Sequence, residues 1–532
     1  MRQMLLISVA MPTYDPAEEY LREAIESVRG QRYPHWELCI ADDGSNRARV
    51  RELLDEYALA DSRIRVEFLE RNCGISAASN RALAVCGGEY VAFLDHDDVL
   101  APDALVEVAR ALDADPSLDV VYSDQDKLGP RGDRVGPFFK PDWSPVYALG
   151  AMYIGHLLVV RRALLERVGG FDPSFDTIQD FELLLRVSEH TDRIHHIPRI
   201  LYHWRAIPGS IAAGADQKAG VPELQARAVS AHLRRRGIGA GAVPHPEIPH
   251  RTRLVREASD GQPLVSVIVP GDGDERDLER CLDSVHERTA YPSFEVIVAG
   301  AGRTPPGAVL NRGAAEASGE HLIFLGADTE IVETDWIERL LAPAQIPSVG
   351  VVGALCLHPD GRVEHAGLAL RRWERAGVRT TAGWWHGRSP AEPVMRGAPG
   401  DSDGYFGSLS CAREVGAVAA ACMLVSRSLH GRVGGFNEEY RAQHHDADFC
   451  LRVRDRGLEV VYAPRPRIVR HDASRPGLHE DMIDRALLVD SWFDRLDRGD
   501  PYLSSHLSID MAPAAGQALG ARALARRLVR RR

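Results

Sequence analysis

The chain carries one sequence pattern twice, and this duplication limits the possible architectures more than any other feature. The segment LLISVAMP near the N-terminus recurs as PLVSVIVP, which aligns Ser8 with Ser266. Further along, RVGGFDPSFDTIQDFELLLRV recurs as RVGGFNEEYRAQHHDADFCLRV, which aligns Phe171 with Phe436. A repeat of roughly 230–270 residues has the size of a domain, whereas solenoid repeats are about 20–45 residues long. We therefore predict two tandem domains of one fold.

Short apolar runs alternate with helical patterns in each copy. Runs such as LISVAM, WELCIA and YVAFL are separated by segments such as AEEYLREAIESVRGQ. Buried strands separated by helices predict an α/β fold, with a mainly parallel sheet flanked by helices. Ligands of such sheets collect at the carboxyl ends of the strands. The polar clusters PTYDP, DDGS and DHDD follow apolar runs and are expected at that edge.

The domain limits follow from the repeat and from local composition. Between the copies, HPEIPHRTRLVREASDGQP replaces periodic apolar residues with proline, glycine and charge. We predict a first domain over residues 1–245, a linker over 246–262, a second domain over 263–500 and a basic tail over 501–532. The arginine-rich end of that tail is either a solvated terminus or a basic amphipathic helix on an anionic membrane surface.

Composition excludes several classes of partner and location. A formal net charge of -12 over 532 residues argues against a generic nucleic-acid binder. The eight cysteines form no CxxC pair and no metal-ligand spacing, which predicts reduced thiols in a cytosolic protein. The N-terminal apolar run is short and is interpreted as a first strand rather than a signal peptide. We expect a cytoplasmic protein whose only membrane contact, if any, is peripheral and through the tail.

The segment FLDHDD places three acidic side chains directly after an apolar run. The carboxylates of Asp95, Asp97 and Asp98 repel one another, so their proximity is favourable only where a cation or a hydrogen-bond donor is shared. The structural alternative is a solvated loop that caps the following helix. We assign that capping role to Asp98 and expect Asp95 and Asp97 to serve function.

Seven motifs in order resemble those of one enzyme family: MPTYDP, ADDGS, RNCGISAASNRAL, FLDHDD, VGGFD, QDFELLLR and YHWR. They resemble the inverting glycosyltransferases of family 2, and especially the tandem-domain bacterial members that build surface polysaccharides. The resemblance covers nearly all of residues 4–215, with a weaker copy over about 262–475. It implies two Rossmann-like domains with the GT-A fold and a nucleotide-diphospho-sugar as the donor substrate.

A divalent cation is the expected cofactor. A nucleotide diphosphate leaves as an anion, and Mg²⁺ or Mn²⁺ held by one or two carboxylates neutralises its charge. The resemblance implies that Asp97 ligates the metal, and that Asp95 contacts the ribose or supports the ion. His203 of YHWR matches the histidine that completes the metal site in the family.

The resemblance also implies a set of residues around the nucleotide. Carboxylates after the second strand would accept hydrogen bonds from the base or the ribose, although an Asx-type turn would also suit them. A tyrosine would stack on the base, and a turn before a helix would face the diphosphate unless that helix is purely structural. The predicted nucleotide-binding residues are Pro12, Thr13, Tyr14, Asp42, Asp43, Asn72 and Asp95.

Direct displacement needs a base, because the pKa of an acceptor hydroxyl lies far above neutrality. The segment IQDFELLLR resembles the acidic pair that precedes an amphipathic helix in the family, with Gln179 in the first place. Asp180 is the predicted general base, and Glu182 is expected to be a helix-face residue without a catalytic role. A single base and inversion at the anomeric carbon are implied by the resemblance.

The second copy lacks several parts of the predicted donor site. Gly300 and Gly326 stand where acids stood, and about 27 residues that include the RNCGIS arm are missing. On the acceptor side, Asp328, Asp446 and His471 survive. We expect the first domain to transfer the sugar and the second to bind the growing glycan. A second active transferase site is the alternative.

The predicted activity is a metal-dependent transfer of a sugar to a glycan or lipid-linked acceptor. A glycan-binding or scaffolding protein without turnover is the alternative from another class, and the intact motifs of the first copy argue against it. A nucleotidyltransferase would need a glycine- and lysine-rich triphosphate loop, which PTYDPAEEYLREA does not provide. Glycoside hydrolysis also uses two carboxylates but does not explain acids beside a base-binding strand end.

Overall fold

A computed structural model describes residues 4–129, 132–206, 220–257, 261–271, 274–300, 305–373, 389–471 and 478–512. The first half contains one nine-stranded sheet and eight helices within this part of the chain. Its strands are β1 (Ile7–Thr13), β2 (Trp36–Asp42), β3 (Ile64–Phe68), β4 (Tyr90–Phe93), β5 (Val99–Leu100), β6 (Val120–Leu128), β7 (Arg134–Phe138), β8 (Leu158–Arg161) and β9 (Ile194–Arg205). Its helices are α1 (Glu18–Arg29), α2 (Ala48–Ala60), α3 (Ile75–Ala84), α4 (Ala104–Ala114), α5 (Pro145–Gly150), α6 (Arg162–Val168), α7 (Gln179–Ser188) and α8 (Val221–Arg235).

The first sheet has the strand order β3-β2-β1-β4-β8-β6-β9-β5, with β7 paired to β6. Strands β1 to β4 are parallel, and β8 runs antiparallel to both β4 and β6. Strand β1 is buried on both faces, since Ile7, Ser8 and Val9 are fully inaccessible to solvent. Burial on both faces explains why its sequence is a continuous apolar run rather than an alternating one.

Helix α1 illustrates how the helices cover the sheet. Its buried residues Leu21, Ala24, Ile25 and Val28 recur at the spacing of one helix face. The helix ends at Gly30, whose N–H bonds back to the carbonyl of Glu26. The apolar stripe of α1 therefore fixes which face of the helix covers the strands.

The second half repeats this architecture after a hairpin of β10 (Ala240–Pro244) and β11 (Thr252–Arg256). Its strands are β12 (Val265–Pro270), β13 (Phe294–Ala299), β14 (His321–Leu325), β15 (Thr329–Ile331), β16 (Val349–Leu357), β17 (Val363–His365), β18 (Leu368–Leu370), β19 (Ala391–Pro393), β20 (Arg413–Glu414), β21 (Cys422–Ser426) and β22 (Glu459–Arg470). Its helices are α9 (Glu275–Arg288), α10 (Pro306–Glu316), α11 (Trp336–Ala344), α12 (Arg427–Val433), α13 (His445–Arg454) and α14 (Leu478–Arg498).

The two sheets match strand by strand, which confirms the tandem α/β architecture predicted from the repeat. The second sheet has the order β13-β12-β14-β21-β16-β22-β15. The register of the corresponding strand pairs is also the same. Val120 of β6 lies opposite Ile194 of β9 in the first sheet, and the equivalent residue Val351 of β16 lies opposite Val460 of β22 in the second. Strand β3 has no counterpart among the described residues of the second half, so β13 is the edge strand of that sheet.

The predicted linker contains regular structure. Strand β11 lies within residues 246–262 and pairs with β10. The hydroxyl of Ser230 in α8 donates to the carbonyl of Ala242 and accepts from the N–H of Ala242, so the hairpin is attached to the first half.

Of the predicted tail 501–532, residues 513–532 with their arginines lie outside the described residues. Tyr502 donates a hydrogen bond of 2.5 Å to Glu459, which anchors the start of that tail.

The two halves share an extensive interface. The ring of Phe138 stacks on Phe406 with centroids 3.6 Å apart, and the hydroxyl of Tyr405 donates to the carbonyl of Pro137 at 2.7 Å.

All eight cysteines are free thiols. No helix in the described part of the chain is both long and apolar enough to cross a bilayer.

Candidate functional site

The predicted polar clusters meet at one edge of the first sheet. The N–H of Asp43 donates to the carbonyl of Thr13 at 2.8 Å, and the N–H of Leu94 donates to Ala10 at 3.1 Å. The carboxyl ends of β1, β2 and β4 are thus adjacent, as a parallel sheet requires. The loops that carry the predicted nucleotide and metal ligands therefore lie beside one another at this edge, and the space that they border is called the cleft below.

The two acids after β2 have different partners. Asp42 is buried and accepts hydrogen bonds from the hydroxyl and the N–H of Ser45, at 2.5 and 3.2 Å. Asp43 accepts from the N–H groups of Cys73 and Gly74, at 2.8 and 3.0 Å. Burial raises the pKa of the Asp43 carboxyl. Asp42 therefore forms the Asx-type turn, and Asp43 holds the arm that leads into α3.

The residues after β1 and in that arm border the cleft. The side chain of Thr13 is buried, and its hydroxyl oxygen has no hydrogen-bond partner among the described residues. Tyr14 is 41% exposed, which leaves its ring available for stacking. The carbonyl of Pro12 lies 3.3 Å from Nδ1 of His96, and Asn72 is exposed. Their roles toward a nucleotide stay predictions.

Asp98 does not cap the following helix, and our prediction for it is wrong. Helix α4 begins at Ala104, whereas Asp98 is completely buried. Its carboxylate accepts hydrogen bonds from the hydroxyl of Tyr202 at 2.6 Å and from the N–H of Arg205 at 2.7 Å. Burial raises the pKa of Asp98 well above its usual value. Asp98 therefore joins the acidic loop to β9.

Asp95 and Asp97 have freer carboxylates than Asp98. No hydrogen-bond donor within the described ranges contacts either side chain, and 38% of the Asp95 side chain is exposed. Burial and then the neighbouring Asp97 raise the pKa of Asp95 to about 6. The Nε2 atom of His156 lies 3.7 Å from the Asp95 carboxylate. These two acids therefore face the cleft and remain available for a ligand.

His156 is a site residue that the sequence reasoning missed. It precedes β8, and its ring stacks on Tyr202 with centroids 4.6 Å apart. Ligand atoms of Asp95, Asp98 and His156 all lie within 4.8 Å of one another. Burial lowers the pKa of His156 to about 4, so the imidazole is neutral and its lone pair is available. The only sequence signal was a histidine between a glycine and an apolar run.

Lys140 fixes the backbone on both sides of His156. Its ammonium is fully buried and donates to the carbonyls of Ser123, Ile154 and His156 and to the side chain of Gln125. The same oxygen of Gln125 accepts the N–H of His156 at 2.9 Å. Burial lowers the pKa of Lys140 to about 7. Lys140 and Gln125 together hold the His156 loop against β6.

The imidazole of His203, which was predicted to ligate the metal, contacts the carboxylate of Asp126. Its Nδ1 atom lies 2.6 Å from the carboxylate of Asp126, which is opposite it on β6. Successive side chains of a strand face opposite sides, so Tyr202 rather than His203 faces Asp98. Ligation of a metal by His203 stays a prediction that these contacts do not favour.

Asp180 lies in the first turn of α7 beside the same cluster. Burial raises the pKa of its carboxyl, whereas the nearby His156 lowers it and Asp95 raises it. Glu182 is 3% exposed and forms an ion pair of 2.6 Å with Arg186. Asp180 therefore lies close to His156 and Asp95, and Glu182 forms a buried ion pair on the same helix. Whether Glu182 has a part in catalysis stays a prediction.

The cluster fits a hard divalent cation. Asp95 and Asp97, whose carboxylates accept no hydrogen bond from the described residues, supply the oxygen ligands that Mg²⁺ and Mn²⁺ prefer. The neutral imidazole of His156 is a ligand more typical of transition metals than of Mg²⁺. Asp98 fits less well, because both of its oxygens already accept hydrogen bonds. Asp95 and His156 are thus the best-placed donors, with Asp97 on the same loop.

The corresponding edge of the second sheet is built differently. Asp328, the counterpart of Asp97, forms an ion pair of 2.8 Å with Arg470. His471 lies 2.6 Å from Glu330. The pair of Asp126 and His203 is replaced by Leu357 opposite Val469. The guanidinium of Arg470 therefore neutralises Asp328, the acid that corresponds to Asp97.

Comparison with known families identifies the chain. The family model described as Glycosyl transferase family 2 matches residues 8–169 and again residues 267–396. Together the two matches cover more than half of the chain. The chain belongs to glycosyl transferase family 2. The two matches lie in the two sheets, so the duplication is a duplication of the family 2 domain.

Two curated relatives match most of this family 2 chain. The uncharacterized protein y4gI of Sinorhizobium fredii is 38% identical over 90% of this chain and 54% of its own length. The O-antigen biosynthesis protein RfbC of Myxococcus xanthus is 36% identical over 98% of this chain and 42% of its own length. The chain thus spans about half the length of these curated relatives.

A solved structure matches part of this family 2 chain. The crystal structure of S. aureus TarS 1-349 in complex with UDP-GlcNAc matches with a TM-score of 0.36 and 24% sequence identity. That match covers 43% of this chain and 66% of the TarS chain. The family assignment rests on the sequence match.

Proposed function

We propose that this chain transfers a sugar from a nucleotide-diphospho-sugar to a glycan or lipid-linked acceptor in the synthesis of a surface polysaccharide. Membership of family 2 supports the glycosyl transfer, and the likeness to an O-antigen biosynthesis protein supports the class of product. The observation that carries the proposal is the convergence of Asp95 and Asp180 on His156. These residues come from three separate segments and meet at the carboxyl edge of the first sheet.

Donor binding in this proposal depends on a divalent cation, Mg²⁺ or Mn²⁺. Asp95, Asp97 and His156 would hold it, and it would neutralise the charge of the departing nucleotide diphosphate. Tyr14 would stack on the base, and the arm held by Asp43 would place the N-terminus of α3 near the diphosphate. Pro12, Thr13, Asp42 and Asn72 would complete the nucleotide pocket.

Asp180 is the proposed general base. It would take the proton of the acceptor hydroxyl as that oxygen attacks the anomeric carbon, with inversion of configuration. A buried carboxylate with a raised pKa is a stronger base than an exposed one, which suits this role. His156 beside it favours the ionised form of Asp180, whereas Asp95 disfavours that form.

The second half is proposed to be non-catalytic and to bind the growing glycan. The ion pair of Asp328 with Arg470 supports this, because it neutralises the acid that would otherwise hold a metal. Asp446 occupies the first turn of α13, as Asp180 does in α7. Transfer by both halves is therefore the competing proposal. A cytoplasmic location with peripheral membrane contact through the arginine-rich tail stays a prediction.

A thermal-shift screen tests the donor site. The chain is heated with UDP, GDP or dTDP in the presence of Mn²⁺, Mg²⁺ or EDTA, and Asp97→Ala and Asp328→Ala are compared with the wild type. We expect stabilisation by one nucleotide only with metal, lost in Asp97→Ala and kept in Asp328→Ala. A shift that is lost only in Asp328→Ala, or no shift with any nucleotide, would contradict the proposal.

A further inference from the structure

The second half contains a cluster of ligand-type side chains away from the proposed donor site. Cys356 of β16 and Glu364 and His365 of β17 have ligand atoms that all lie within 4.8 Å of one another. Their exposed fractions are 0%, 7% and 4%. Cys356 and His365 are direct cross-strand partners, so their side chains project to the same side of the sheet.

The polar atoms of this cluster lack partners. Three of these atoms have no hydrogen-bond partner among the described residues: both ring nitrogens of His365 and one carboxylate oxygen of Glu364. A buried polar group that is left unpaired destabilises the fold. A cluster with three such atoms is therefore expected to bind something that satisfies them.

The local charges favour a cation. Asp328 and Glu364 both accept hydrogen bonds from Arg470, at 2.8 Å each, so two carboxylates share one guanidinium. Asp446 also acts electrostatically on His365, and Arg396 acts on it in the opposite direction. Three carboxylates thus surround the cluster together with two guanidinium groups. Ionisation of the Cys356 thiol would add another negative charge, which a divalent cation would balance.

The donor set selects the class of metal. A thiolate, an imidazole and a carboxylate are ligands of Zn²⁺ and related transition metals, whereas Mg²⁺ and Ca²⁺ prefer oxygen ligands alone. Three protein ligands leave a fourth position for water or for another group. We propose that Cys356, Glu364 and His365 form a transition-metal site, of the Zn²⁺ type, in the second half of the chain.

The proposed metal site lies where the first half has the hydrogen bonds of Gln125. By sheet register, Cys356 opposite Ile468 corresponds to Gln125 opposite Tyr202. Gln125 holds the His156 loop through hydrogen bonds. The second half has Ala421 where the first has His156, so the loop no longer needs that support. The metal site is thus distinct from the cation proposed for Asp95 and Asp97, and it does not depend on the transferase proposal.

The metal content of the purified 532-residue chain tests the proposal. The chain is produced with added Zn²⁺, dialysed without chelator and analysed by mass spectrometry of the elements. We expect about one zinc ion per chain in the wild type and at least a tenfold loss in Cys356→Ser and His365→Gln. The matched control is His430→Gln, because His430 is also a buried histidine of the second half with an unpartnered nitrogen. That variant and Asp97→Ala are expected to keep the zinc.

A second measurement covers the case in which these variants fail to fold. The wild type is loaded with Co²⁺ and its absorption spectrum is recorded, since a thiolate ligand gives a sulfur-to-cobalt charge-transfer band. A wild type that holds no stoichiometric metal and gives no such band overturns the proposal. Zinc that persists in His365→Gln, or that is lost only in Asp97→Ala, overturns it as well.

Discussion

The carboxylate of Glu414 in the second half accepts a hydrogen bond of 2.8 Å from the N–H of Val146 in the first half. It also accepts from the N–H of Tyr147 at 3.3 Å, so it binds the first turn of α5. Glu414 is fully buried, and this burial raises its pKa to about 7. The contact between the halves is therefore sensitive to pH.

The free energy of unfolding is expected to fall as pH rises through the range set by Glu414. The folded state holds the proton up to about pH 7, whereas the unfolded chain releases it near pH 4.5, the ordinary pKa of a glutamate side chain. The proton on Glu414 contributes about 3 kcal/mol to the free energy of unfolding below about pH 4.5, and this contribution is lost as the pH rises to about 7. Denaturant unfolding of the wild type and Glu414→Gln between about pH 5 and pH 8 measures this. Parallel pH profiles of the two proteins would refute the assignment.

Asp180→Asn is expected to lower kcat by roughly 10²–10⁴-fold, the usual contribution of a general base. Donor and metal binding should persist, because the substitution keeps the shape of the side chain. Asp446→Asn is the matched control, since Asp446 has the same place in α13. Single-turnover transfer and a thermal shift with the donor nucleotide separate the two effects. Loss of transfer in Asp446→Asn with activity kept in Asp180→Asn would assign catalysis to the second half.

Glu182→Gln is expected to destabilise the fold without changing the chemistry. Removal of one partner from a buried ion pair costs about 3 kcal/mol, because Arg186 keeps an uncompensated charge. Asp448→Asn breaks the equivalent pair with Arg452 in the second half and should behave alike. Unfolding midpoints and kcat at a temperature well below unfolding measure the two properties. A fall of kcat to the level of Asp180→Asn would show that Glu182 takes part in transfer.

Lys140→Met is expected to lower kcat/KM at least tenfold through displacement of His156. The buried ammonium binds the His156 carbonyl at 2.5 Å, and the substitution leaves several carbonyls without a donor. Metal affinity, measured by calorimetry, should fall with the activity because His156 faces the proposed cation. Lys127→Met is the control, since Lys127 lies over the ring of Trp204 at 5.5 Å. Unchanged metal affinity in a folded Lys140→Met chain would contradict this positioning role.

The sequence predicted the architecture well because the repeat and the apolar runs are signals of local sequence. The position of FLDHDD at a strand end followed from the same rule. The role of Asp98 did not, because its burial depends on Tyr202 and Arg205, which are more than one hundred residues away. His156 was missed for a similar reason: its neighbours Asp95 and Lys140 are brought to it only by the fold. Strand β11 was hidden by the charged and proline-rich residues on either side of it.

The loss of a counterpart to β3 has a consequence for behaviour at high concentration. Strand β13 ends the second sheet, and its residue Val298 is 47% exposed. An edge strand offers unpaired N–H and C=O groups to any other extended segment, which makes it a site of self-association. In the first sheet the corresponding strand β2 is fully buried between β1 and β3, so that β3 is the edge strand there. The loss of β3 therefore turns a buried strand into a second exposed edge, and self-association through β13 is expected in addition to any through β3.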